Sequence, residues 1–87
     1  MTYVQIRNVQ TKKSIDNFKM VSIPRVGETI TLFYRDILNN QEKYVEEAVS
    51  KAKKLDGSSW VVQSVEYELI YGADEDSNWI WINVSRL

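Results

Sequence analysis

Trp79 and Trp81 stand two residues apart, on a segment whose alternate positions are Ile80, Ile82 and Val84. Side chains two apart on a strand share a face. If the aliphatic set fills a core, two indoles stand on the opposite surface. Paired exposed aromatics stack nucleic-acid bases, cage methylated lysines or anchor a partner's side chains. The competing reading makes the same pair the floor beneath a packed helix. Tyr67 and Tyr71 lie nearby in sequence and extend the candidate binding set. Arg7, Arg25 and Arg35 are the candidates for contacts to phosphate or another anion, because a guanidinium presents a fork of donors.

Other charged groups carry less. Glu66 and Glu68 fall on one strand face and could form an acid/base pair, but alternating acids ordinarily mark a strand's wet side. Asp74-Glu75-Asp76-Ser77-Asn78 places acids or amides at alternate positions, as calcium loops do. Such a loop needs glycine at its sixth position and glutamate at its twelfth, where this chain has Trp79 and Ser85. A solvated hairpin tip is the better reading. Lys51, Lys53 and Lys54, with Lys12 and Lys13, could make a basic patch, yet lysines late in a helix are what its dipole favours.

Cysteine and histidine are both absent. Their absence removes the thiolate nucleophile, the usual zinc ligands and the side chain best suited to proton transfer near neutral pH. Carboxylates, lysines, tyrosines and hydroxyls remain, so a non-enzymatic protein with no metal or cofactor is expected. The net charge of −1 favours neither nucleic acid nor its mimic. Residues 1–35 hold six basic side chains against two acids, and residues 36–87 hold five against ten. The chain is therefore charge-asymmetric along its length.

These residues must be positioned by short elements. Tyr3–Val9 reads as a first strand with Val4 and Ile6 inward, followed by a turn near Lys12-Lys13-Ser14. Phe18–Ile23 reads as a second strand, stopped by Pro24. Gly27-Glu28 reads as a turn and Thr29–Tyr34 as a third strand. From about 40 to 55, Val45, Ala48, Val49, Ala52 and Leu55 form a helical stripe. Early glutamates, late lysines and Gly57 as a stop agree with it. Trp60 and Val62 share a phase that Val65, Tyr67 and Leu69 do not, which predicts a β-bulge near Gln63-Ser64. Trp79–Leu87 alternates as a last strand.

The order β-β-β-α-β-β in 87 residues predicts one mainly-β domain with a single inserted helix. Either a small five-stranded SH3-like barrel or a strongly curved antiparallel sheet fits. The run Ile23-Pro24-Arg25-Val26-Gly27-Glu28-Thr29-Ile30, with Trp60-Val61-Val62-Gln63-Ser64-Val65-Glu66-Tyr67, resembles a pattern in short uncharacterised phage and bacterial proteins. The resemblance covers the middle and end of the chain and departs at the helix. It implies a small β-barrel and a mobile-element origin, and brings no site residues with it.

The expected function is non-catalytic binding of a protein partner, such as a host protein or complex that the chain inhibits or shields against. An oligomeric sponge for a small ligand or nucleotide is the alternative, with a homo-oligomer left open. A structural component of a virion or complex and a nucleic-acid-binding barrel follow, the last disfavoured by the acidic tip. No apolar run reaches membrane-helix length and no signal segment is read, so the expected location is the cytoplasm, the host's if phage-encoded.

Overall fold

The computed structural model describes residues 2–72 and 79–87. They fall into two compact units, one of Met1–Thr29 with Trp60–Leu87 and one of Ile30–Ser59.

The first unit is built on strands β1 (Thr2–Asn8), β2 (Lys13–Met20), β4 (Ser59–Glu68) and β5 (Trp79–Arg86); β3 (Thr29–Thr31) begins at its boundary with the second. The sheet order is β2-β1-β5-β4-β3, and the sheet curls into a half-barrel. β1 pairs antiparallel with β2, and β4 with β5. The central pair differs from the antiparallel expectation. β1 and β5 run parallel, with Ile6 beside Ile82 and Arg7 beside Asn83. The alternation in β5 places Ile82 and Val84 in a core with Val4, Ile6, Ile15, Trp60 and Val62, all buried.

The bulge expected near Gln63-Ser64 is present: the β4–β5 register shifts between Val62 and Ser64. That single extra residue lets Trp60 and Val62 share a face with Val65 and Tyr67 despite their odd spacing, although Tyr67 lies beyond the core and is exposed. A second shift, between Ile6 and Arg7, leaves Ile15 as the extra residue of β2. It breaks the alternation there, which is why the sequence reading began the second strand at Phe18 rather than Lys13. The turn correspondingly spans residues 9–12. The Asn8 side chain accepts from the Gln10 amide at 2.9 Å, and Lys12 adopts a left-handed φ of 60°.

In the second unit the chain leaves β3 early. The Tyr34 amide donates to the Asp56 carboxylate at 2.9 Å, and Tyr34 opens a short helix α1 (Arg35–Asn39), so the third strand ends at Thr31 rather than Tyr34. The main helix α2 (Glu46–Leu55) starts later than the expected position near 40. Asn40 turns its side-chain amide back onto the Asp36 carbonyl at 2.9 Å, and Gln41–Lys43 makes a 3-10 turn. Tyr44 is extended, with φ −121° and ψ 152°, and its hydroxyl donates to Asp36. That hydrogen bond, then desolvation and the carboxylate's charge, raise the Tyr44 phenol above its ordinary pKa. Val45 caps α2 from outside and is exposed, so it leaves the expected apolar stripe, while Val49 and Ala52 are buried. Glu46 and Glu47 occupy the first turn, Lys53 and Lys54 the last. Gly57, at φ 76°, takes the chain out of the helix as its position suggested. No helix among the described residues is long and apolar enough to cross a membrane.

The core assignment has a direct check. Ile82→Ala should lower the unfolding free energy by about 3 kcal/mol in urea titration, because it leaves a cavity in the core against the sheet's inner face. A loss under about 1 kcal/mol would place Ile82 outside the core.

Candidate functional site

The face of the sheet opposite the core collects part of the set singled out for chemistry: Arg7, Glu66, Glu68 and Trp81. β5 presents Trp81 and Asn83; the register puts Gln5 and Arg7 of β1 on one side and Ser64, Glu66 and Glu68 of β4 on the other. Sequence alternation makes Asn83 a wet-face residue, yet it is only 3% exposed. Its amide nitrogen donates to Ser64 Oγ at 2.9 Å and to Glu66 Oε1 at 2.8 Å, while its Oδ1 accepts from Arg7 Nε at 2.7 Å. Arg7 Nη2 also pairs with Glu66 Oε2 at 3.3 Å. The same guanidinium stacks 4.6 Å from the centre of the Trp81 ring. Trp81 Nε1 donates to Glu68 Oε2 at 3.1 Å.

This is a closed network. Its hydrogen bonds all run between strands of the same unit, and no buried side-chain nitrogen or oxygen among the described residues lacks a partner. The two glutamates do not face each other as an acid/base pair: Glu66 is engaged by Arg7 and Asn83, and Glu68 by Trp81. Arg7 likewise directs Nε and Nη2 to partners within the sheet.

Arg25 and Arg35, the other two candidate arginines, have their own local partners. Arg25 lies in the turn before β3, where its backbone amide donates to the Glu28 carboxylate and its carbonyl accepts from the Glu28 amide at 3.0 Å. Arg35, in the second unit, stacks 4.8 Å from the Phe33 ring centre. Among the described residues, no three His, Cys, Asp or Glu side chains group to hold a metal.

The aromatic set divides. Trp81 is half-buried inside the network, whereas Trp79 is 41% exposed. Tyr67 pairs in register with Ile80, on the face opposite Trp79, and is 60% exposed. Tyr71 follows the strand, fully exposed. Sequence reasoning did not single out Leu69, 74% exposed, or Ile70 as surface residues. The available signal was Leu69-Ile70-Tyr71, an apolar run that abandons alternation just before Gly72. The far end of the β4–β5 hairpin therefore shows apolar side chains on both faces. The acidic run Asp74–Asn78 lies outside the described residues.

No family model matches the chain, and no curated protein or solved structure is significantly similar to it.

Burial orders the three tryptophans, with Trp60 inside, Trp81 intermediate and Trp79 outermost. Trp79→Phe should remove most of the acrylamide-quenchable emission while leaving the circular dichroism intact. Unchanged quenching would mean the accessible indole is another one.

Proposed function

We propose that this chain is a non-catalytic protein-binding domain whose contact surface is the far end of the β4–β5 hairpin. One observation carries the reading: Tyr67, Leu69, Tyr71 and Trp79 are exposed together on one hairpin, beside a polar network already satisfied within the sheet. Large aromatic side chains are enriched among residues that dominate protein interfaces.

Charge favours protein over nucleic acid. From Glu66 to Asn78 the sequence holds five acids and no basic residue, a segment that repels phosphate. The absence of cysteine and histidine supports binding rather than catalysis. The resemblance to short phage and bacterial proteins fits a partner within host machinery, with the domain acting as an inhibitor or shield.

The test compares variants in capture of a partner from bacterial extract. Wild type and Val21→Ala, which alters an exposed residue elsewhere, should retain the same protein. Tyr71→Ala combined with Trp79→Ala should lose it at least ~10-fold, since two anchors of this kind each contribute upwards of about 1 kcal/mol. Equal retention by all three forms, or none by any, would overturn the assignment.

A further inference from the structure

We propose that β4, beyond Val62, accepts an extended segment of a partner protein as an added strand, with basic and apolar side chains alternating along that segment. The proposal rests on the hairpin being a protein-binding surface and names the chemistry of what it binds.

The edge comes first. On its β3 side, β4 makes its last backbone bonds at Val62, whose amide donates to the Glu28 carbonyl and whose carbonyl accepts from the Gly27 amide, both at 2.9 Å. The Arg25–Glu28 turn ends that contact. β4 itself continues to Glu68, paired with β5 on the other side from Ser64 onward. Among the described residues no strand lies against this outer edge. A strand edge in that state offers unpaired amides and carbonyls to another chain.

The two ends of the sheet also differ in how they are guarded. β2, the edge strand at the other end, carries Lys13 and Lys19 and is bulged at Ile15, devices that discourage strand addition. Gln63–Glu68 contains no lysine, arginine or proline. Its one irregularity, the bulge between Val62 and Ser64, precedes the open stretch.

The side chains then select the occupant. Glu66 and Glu68 lie on one face of β4, and Val65 and Tyr67 on the other. An added strand places its own side chains beside these, so opposite charge is favoured on the first face and apolar surface on the second. The acids that follow in sequence reinforce the preference for a basic segment. A second copy of the same chain fits poorly. Antiparallel self-pairing centred on Glu66, Tyr67 or Glu68 sets glutamate against glutamate, and centring on Val65 requires Val62, whose edge bonds are already made.

The probe is a synthetic peptide of alternating lysine and valine, with a glutamate–valine peptide as control, read by amide hydrogen exchange on the intact chain. The lysine–valine peptide should slow exchange at Ser64–Glu68 and the control should not. Glu68→Gln keeps an acceptor for Trp81 and removes the charge; it should weaken the peptide's affinity about 3-fold with unchanged circular dichroism. Protection elsewhere, equal binding of both peptides, or no binding would overturn strand addition, as would protection of the same amides by self-association without peptide. If the peptide fails while the Tyr71 and Trp79 substitutions still abolish partner capture, strand addition falls and the hairpin surface stands. If capture is also insensitive, both fall.

Discussion

A single buried amide, that of Asn83, holds the outer face of this sheet together. Burying an amide is unfavourable unless its hydrogen bonds are replaced. Asn83 replaces them with Ser64, Glu66 and Arg7, drawn from the strands on either side of it. Two of these bonds involve charged groups, which are stronger than neutral ones. Ser64 is the first residue past the β4 bulge, and Arg7 is the register partner of Asn83 in the parallel pair. One side chain therefore ties the bulge to the parallel junction. A one-residue slip of β5 would carry Asn83 into the core and turn Ile82 and Val84 outward, so the polar face and the apolar face enforce the same register.

The surface that remains follows from this closure. Arg7 is engaged by Asn83, Glu66 and Trp81, and the indole N–H of Trp81 by Glu68. Arg7 and Trp81 are thereby held within the sheet, while the Glu66 and Glu68 side chains stay exposed along β4. The unspent groups lie further along the hairpin, where Trp79, Tyr67, Leu69 and Tyr71 face solvent. In the proposed reading the network is the mount and the hairpin end the contact surface.

Local signals in the sequence were sufficient for several elements. The phase change between Val62 and Val65 marked the bulge, Gly57 marked the helix stop, and the alternation from Trp79 onward fixed which residues of β5 point inward. Features that depend on distant partners were not legible. Asn83 accepts a hydrogen bond from Arg7, which lies 76 residues away in sequence, and nothing local to either residue announces the pair. The parallel β1–β5 pairing is non-local in the same way. The first part of β2, before Phe18, was hidden because a bulge interrupted its alternation and its wet face read as a loop. The start of the main helix moved because Asn40 and Tyr44 bond back to Asp36, a competition between side chains and backbone that periodicity does not capture. The binding candidates were only partly grouped by the fold: Trp79 and Tyr67 share a hairpin but not a face, and Trp81 belongs to the mount.

The most direct test of the Asn83 network is a double-mutant cycle between Arg7→Ala and Asn83→Ala, with unfolding free energies measured in urea for all four proteins. If the amide and the guanidinium stabilise the fold through each other, the coupling energy should be about 1–2 kcal/mol. Effects that add within about 0.3 kcal/mol would show that the two side chains act independently, and that the parallel register is held by the aliphatic core alone.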